Sequence, residues 1–229
     1  MGINDRDYAR DDYKGRTKSE SSLVQFVKQT YQLFAASLMG GAIGAYVSIP
    51  YAAEISSMYL PLFILEIALL FGLFAVKRKP GINIAVMFSF VFMTGVMLSP
   101  MIARTLGYSN GGVIIANAFA MTSFIVAGMS YFAVKTKADM TNYGKPLMIA
   151  LFVIIAFSIL NLFLGSPILS IIISSVVVFL FSILVVYDTQ NIIKGNYETP
   201  IDGAIALYLD FLNIFTALLN LLGIFNGKD

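Results

Sequence analysis

The stretch from Tyr187 to Asn213 decides how this sequence folds, and it reads YDTQNIIKGNYETPIDGAIALYLDFLN. It places two carboxylates, Asp188 and Asp210, at the end and in the middle of segments that are otherwise apolar. Inserting an ionised aspartate at the centre of a bilayer-spanning helix costs about 2.5–3.5 kcal/mol. Such a residue is therefore expected to interact with another polar group or to have a functional role. The simplest partner for each of these aspartates is the other.

The composition of the whole chain points to a membrane. Of its 229 residues, 58% are hydrophobic and 12% are charged. Soluble domains carry about 25% charged residues, so an ordinary soluble domain is excluded. The apolar runs are roughly 20 residues long, which is enough to cross the hydrocarbon layer as helices. We therefore predict an all-α integral membrane protein with seven transmembrane helices.

The predicted spans are separated by short polar or glycine-containing connections. They cover about residues 27–49, 56–76, 82–103, 112–134, 146–164, 168–188 and 201–225. Residues 1–22 carry mixed charges and no apolar core, so we expect a polar, solvated cytoplasmic tail there. The seven-helix transmembrane domain would then occupy residues 23–229.

Small residues lie along one face of the first span, where Ala36, Gly40 and Gly44 repeat at intervals of four. Small residues at this spacing let a neighbouring backbone approach closely. The neighbour is either another helix of the same chain or the same face of a second copy. We expect a monomer or a weak homo-oligomer.

Basic residues are distributed unequally between the two sides of the predicted bundle. The side that holds the amino tail carries thirteen Lys and Arg residues, and the opposite side carries two, Arg104 and Lys228. This asymmetry predicts an amino terminus in the cytoplasm. A re-entrant last segment would move Lys228 alone, so the charge count fits that topology as well.

Several kinds of chemistry are excluded because the chain contains no Cys and no His. It cannot form disulfides, thiolate metal sites or Ser–His and Cys–His nucleophiles. The net charge of +2 gives no indication of nucleic-acid binding. We expect a protein that is not an enzyme and has no cofactor. Any sensing of pH near neutrality must come from carboxylates, since histidine is missing.

Asp188 and Asp210 lie on helices that run antiparallel, because the chain turns back through Gly195 and Pro200. If their carboxylates approach within ~4 Å, mutual repulsion at an effective dielectric near 20 amounts to about 4 kcal/mol. The pair would then share one proton and titrate as a unit near neutral pH. Alternatively, Asp188 reaches water and Asp210 bonds to hydroxyl or amide groups. Contact between the carboxyl groups of Asp188 and Asp210 requires the sixth transmembrane helix to continue to about Ile193.

Four further polar residues are candidates for the site. Glu66 either lines a polar path and contacts a cation, or pairs with a basic residue of another helix. Lys77 and Arg78 either act as a counter-charge or latch for the two aspartates in one conformation, or anchor their helix at anionic headgroups. Asn213 follows Asp210 by three residues on the same helix face, so it can share hydrogen bonds with that carboxylate.

The motifs in this part of the chain resemble those of the Bax inhibitor-1 family, also called the transmembrane Bax inhibitor motif family. The likeness continues upstream of the last two helices and covers most of the chain after the tail. The residues that carry it are Y-D-T-Q-x-I-x-x-G-x-Y from Tyr187, P-I-D-G-A-x-A-L-Y-L-D-F-x-N-I-F from Pro200, Phe92-Met93-Thr94-Gly95 with Pro100, and Tyr131-Phe132-Ala133 with Thr136-Lys137-Ala138-Asp139.

The resemblance implies a seven-helix bundle in which six helices surround the last one. It implies a pH-sensitive calcium leak in which Asp188 and Asp210 form the proton-sensing pair, and a basic residue of the second span, Lys77 or Arg78, can lock onto that pair. Calcium would be the transported ion, with the two aspartates as candidate contacts. No charged tail follows the last span, so the chain looks like a bacterial member, located in the inner membrane.

Two other functions stay open on the sequence. Some bacterial relatives regulate a membrane-bound quality-control protease, so such a protease is a candidate partner. An intramembrane aspartyl protease is the minor alternative, because Tyr187-Asp188 and a second intramembrane aspartate are similar to its motifs. Those enzymes have G-x-G-D at the second site, whereas here the residues before Asp210 are Leu207-Tyr208-Leu209.

Overall fold

The computed structural model describes the backbone of residues 3–226 and the side chains of residues 21–225. All regular elements over this range are helices, and it contains no strand. The helices are α1 (Ile3–Ser48), α2 (Ala52–Ser57), α3 (Tyr59–Val76), α4 (Ile82–Leu106), α5 (Gly111–Lys135), α6 (Gly144–Leu164), α7 (Pro167–Ile193) and α8 (Pro200–Asn226).

The predicted membrane architecture is confirmed. Between residues 21 and 225, seven helical segments are long and apolar enough to cross a bilayer. The first of them continues through α1, a short turn at Ile49–Tyr51 and α2. The backbone of α1 is already helical from Ile3, so the predicted tail joins the first span without a break. Lys228, which entered the charge count, lies outside the described residues.

The structure decides a helix end that the sequence left open. The sixth span was placed at about residues 168–188, and α7 continues for five more residues to Ile193, as contact between the two aspartates requires. The polar residues after Asp188 look like a loop in the sequence, yet Thr189, Gln190 and Asn191 are buried. Tertiary hydrogen bonds replace the water that such side chains normally require. The longer helix places Asp188 more than a turn inside α7.

Close packing of α1 against α4 forms one side of the bundle. Gly40 lies against Val91, and Gly44 lies against the backbone of Phe92. Gly95 of α4 in turn approaches the backbone of Gly41. The small face of the first span therefore contacts a helix of the same chain, and the absence of side chains lets two backbones meet.

The last helix, α8, is the most buried of the seven spans between residues 21 and 225. It packs most extensively against α7 and also contacts α1, α4 and α5. By contrast, α3 packs mainly against α4, and α6 packs mainly against α7. The expected ring of six helices around the last one is therefore not confirmed, although α8 occupies the interior of the described bundle.

Gly95 provides a test of the α1–α4 contact. A Cβ at this position would meet backbone atoms of Gly41 and Ala45, which cannot move aside as a side chain can. We expect Gly95→Ala to destabilise the protein by about 1–3 kcal/mol, the usual range for overpacking. Thermal unfolding in detergent micelles measures this effect. Gly128→Ala is the matched control, because nothing lies within 4 Å of its added Cβ. Equal stability of the two variants would contradict the close contact between the backbones of α1 and α4 at Gly95.

Candidate functional site

The ends of α7 and α8 that are joined by residues 194–199 bring two aspartates together inside the bundle. Asp188 is 6% exposed and Asp210 is 3% exposed. Their carboxyl groups lie within hydrogen-bonding reach of each other. The continuation of α7 to Ile193 makes this contact geometrically possible, because it brings Asp188 to the depth of Asp210.

The surroundings of Asp210 set the chemistry of the contact. Its Oδ2 atom is fully enclosed and accepts no hydrogen bond from an N–H or hydroxyl group of the described residues. The neighbouring group that can satisfy this carboxyl is Asp188, and two carboxyl groups can form a hydrogen bond when a proton lies between them. Among residues 21–225, no Lys or Arg forms an ion pair with either aspartate. Two simultaneous negative charges at this position are therefore unfavourable.

A tyrosine completes the site. Tyr197 lies in the loop between α7 and α8, and its hydroxyl group donates a 2.7 Å hydrogen bond to Asp188 Oδ1. Burial raises the pKa of Tyr197, and the negative charge of Asp188 raises it further. The phenol therefore keeps its proton at neutral pH and remains a donor. Tyr197 was not predicted as a site residue, although its position nine residues after Asp188 across a short turn is a usable signal.

The turn that carries Tyr197 is fixed by local hydrogen bonds. Gly195 has a φ of 68°, a left-handed conformation that suits glycine at the end of a helix. The backbone N–H of Asn196 donates to the carbonyl of Asn191 at 2.9 Å, and the Asn196 amide donates to Asn191 Oδ1 at the same distance. These bonds hold the loop against the end of α7.

The start of α8 is capped on the other side of this loop. Thr199 and Asp202 exchange hydrogen bonds: Asp202 Oδ2 accepts from the Thr199 backbone N–H at 2.9 Å, and Thr199 Oγ1 accepts from the Asp202 backbone N–H at 3.3 Å. This is a capping box, and Pro200 at the first helical position suits it. The loop therefore has defined geometry at both ends.

The predicted counter-charges lie elsewhere in this conformation. Lys77 forms ion pairs with Glu198 at 2.5 Å and with Asp202 at 3.6 Å, and Arg78 also pairs with Glu198. Neither basic residue contacts Asp188 or Asp210. These ion pairs connect the loop after α3 to the loop before α8, one residue away from Tyr197.

The two other candidate residues are not part of the pair. Glu66 is half-buried on α3, and its side chain forms no hydrogen bond or ion pair with the residues between 21 and 225. Asn213 donates its side-chain N–H to the carbonyl of Leu209 at 2.7 Å rather than to Asp210. Both keep carboxylate or amide oxygens available to other groups.

The acidic side chains that could contact a cation at this site are few. Over the described part of the chain, no cluster of three or more acidic, His or Cys residues converges on one point. Two carboxylates alone give a calcium ion too few ligands, since it takes 6–8 oxygens. A cation passing here would take most of its ligands from water and from neutral oxygens.

Comparison with known proteins identifies the protein family of this chain. Residues 23–227 match the family described as inhibitor of apoptosis-promoting Bax1. The chain belongs to the Bax inhibitor-1 family. The matched segment contains all the residues of the site and leaves out the first 22 positions.

Relatives of this Bax inhibitor-1 family member are found in several bacteria. A Campylobacter jejuni protein is 49% identical over the whole of both chains. A Helicobacter pylori protein is 43% identical, again over all of both chains. A Vibrio cholerae protein named as a membrane protein is 32% identical over 89% of this chain and 91% of its own length.

The hydrogen bond from Tyr197 can be tested by removing one atom. Tyr197→Phe leaves Asp188 Oδ1 without its hydroxyl donor, and an unsatisfied buried acceptor costs about 1–3 kcal/mol. We expect a loss of stability of that order in thermal unfolding at neutral pH. Tyr46→Phe is the control, because Tyr46 is 78% exposed. Equal shifts in the two variants would show that the hydroxyl group of Tyr197 does not support the site.

Proposed function

We propose that this protein is a proton-controlled cation leak channel, with calcium as the transported ion. One proton held between Asp188 and Asp210 would determine the conformation of the bundle. The observation that supports this proposal is the enclosed contact between two carboxyl groups that have no basic counter-charge.

The energy available to such a switch follows from electrostatics. Two unit charges at ~4 Å repel each other by about 4 kcal/mol at an effective dielectric near 20. This energy corresponds to about a thousandfold change in an equilibrium constant. Loss of the shared proton would therefore favour separation of α7 from α8 at their joined ends.

The loop ion pairs offer a route by which that movement reaches another helix. Glu198 is adjacent to Tyr197, and it is held by Lys77 and Arg78 at the end of α3. A displacement of the α7–α8 loop would thus be passed to α3 through charged contacts. In the deprotonated state, Lys77 or Arg78 is the proposed counter-charge for the aspartates.

Calcium suits the oxygen atoms that the site offers. Carboxylate and amide oxygens are the ligands of hard divalent cations. Asp188 and Asp210 are the proposed contacts at the switch, and Glu66 and Asn213 are candidates along the path. A site with few charges and many water ligands would bind weakly, and weak binding allows conduction.

We also propose a location and an orientation. The proposed membrane is a bacterial inner membrane, with the amino terminus in the cytoplasm. The distribution of basic residues supports this orientation, since thirteen of the fifteen Lys and Arg residues fall on the amino-terminal side of the predicted topology.

Calcium flux into proteoliposomes tests the proposal. We expect the wild-type protein to give a flux that changes with pH between about 5 and 8. Asp188→Asn and Asp210→Asn should each abolish that pH dependence, because an amide cannot titrate. Unchanged, pH-dependent flux in both variants would contradict the proposal.

Asp139 provides a control carboxylate. Its side chain is 49% exposed, and hydrogen bonds from Lys194 and Thr141 lower its pKa to about 2. The group therefore stays ionised until the pH falls towards 2, so it cannot sense pH near neutrality. Asp139→Asn should leave the pH dependence of the flux unchanged. A loss of pH dependence in this variant would point to a sensor outside the aspartate pair.

A further inference from the structure

A polar stripe runs along α8 away from the aspartate pair. Asn213, Thr216 and Asn220 follow Asp210 at intervals of three, three and four residues, which places them along one side of the helix. From Asp210 to Asn220 the stripe extends for about 15 Å, or half the hydrocarbon thickness. It begins at the proposed switch and points towards the other end of the bundle.

The stripe is not closed off by packing. Asn213, Thr216 and Asn220 are partly exposed, while their neighbours on the other faces of α8 are buried. These buried neighbours are Ile214, Phe215, Ala217, Leu218 and Leu219. The polar side of α8 is therefore less closely packed than its buried faces.

The far end of the stripe is tied to α7. The side-chain amide of Asn220 donates to Ser170 Oγ at 3.0 Å and to Ser174 Oγ at 2.9 Å. Ser170 lies eighteen residues, or five turns, before Asp188 on α7, so both point to the same side of that helix. The seam between α7 and α8 is thus polar at both ends.

Two amide oxygens of the stripe have no partner. Asn213 and Asn220 use their N–H groups in hydrogen bonds, but neither Oδ1 atom accepts one within residues 21–225. The fully enclosed side-chain polar atoms without a partner in that range are Ser37 Oγ and Asp210 Oδ2. The Oδ1 atoms of Asn213 and Asn220 are not enclosed in this way, so both reach the surface of the bundle. An unpaired amide oxygen facing lipid is strongly unfavourable, whereas the same oxygen facing water is satisfied.

We propose that Asn213, Thr216 and Asn220, with Ser170 and Ser174, line a water-filled path from the aspartate pair to the end of the bundle where α7 begins. The path explains why a helix inside a membrane bundle keeps amide oxygens on its partly exposed side. That cations use this path rests on the proposed leak activity. Their ligands along it would be the oxygens of the stripe together with water.

The chain contains no cysteine, so a single introduced cysteine reports the hydration of its own position without reaction at native thiols. A charged methanethiosulfonate reagent reacts with a thiolate, which forms in water and not in lipid. We expect Thr216→Cys and Asn220→Cys in proteoliposomes to react at least tenfold faster than cysteines on the lipid-facing side of α7. Thr216→Cys preserves the interhelical bonds, so it remains informative if Asn220→Cys is unstable.

The matched controls are Ile172→Cys and Phe179→Cys. These α7 positions are 53% and 69% exposed, so simple exposure would make them react faster than the stripe. Reaction of the stripe cysteines at the same rate as the controls would overturn the proposal, and the serine–asparagine contact would then serve only to join two helices.

Calcium flux after labelling tests the link to transport. Modification of Asn220→Cys or Thr216→Cys should reduce the flux severalfold, while modification of Ile172→Cys should not. If the labelled stripe leaves a measurable flux unchanged, cations do not use the path. If the unmodified protein gives no flux, the proposed leak fails, and the labelling rates still decide whether the path holds water.

Discussion

The site depends on one constraint: two carboxyl groups from adjacent helices share an enclosed position without a basic partner. Asp188 and Asp210 cannot both carry a charge there at low cost, because burial penalises each charge and proximity penalises the second one further. A shared proton removes both penalties. In the proposed function, this constraint would tie the conformation of α7 and α8 to proton concentration.

The rest of the fold positions that pair. Extension of α7 to Ile193 moves Asp188 inside the bundle, and the turn at Gly195 brings Tyr197 back onto its carboxyl group. Gln190 fixes the same helix end from the other side: its amide donates to the carbonyl of Ala138 at 2.8 Å, and its Oε1 accepts from the Met140 N–H at 2.7 Å. Polar residues that look like a loop are thus part of the scaffold.

Much of this architecture could be predicted from the sequence because lipid imposes strict rules. Apolar runs of spanning length identify the seven helices, and an intramembrane Asp is rare enough to be conspicuous. The spacing of Gly40 and Gly44 indicated a close helix contact. Whether that contact was internal was not decided by the sequence, because the partner, α4, is set by tertiary packing.

Other features could not be predicted because they depend on contacts between distant segments. The end of α7 stayed open on the sequence because Thr189 and Gln190 are satisfied by α5 and the following loop rather than by water. The sequence left Lys77 and Arg78 either as a counter-charge for the aspartates or as headgroup anchors, and it gave no indication that both would pair with Glu198. The spacing of nine residues from Asp188 points to Tyr197, but its hydrogen bond to that carboxyl group also depends on the turn at Gly195.

The separation of the Asp188 and Asp210 carboxyl oxygens at two pH values tests the central claim most directly. Crystals of one form, equilibrated at acidic and at alkaline pH, would provide both distances. If a shared proton holds the helices together, the carboxyl groups are in hydrogen-bonding contact at acidic pH and have moved apart at alkaline pH. Identical separations in the two structures would contradict it, because the shared proton would then not hold the helices together.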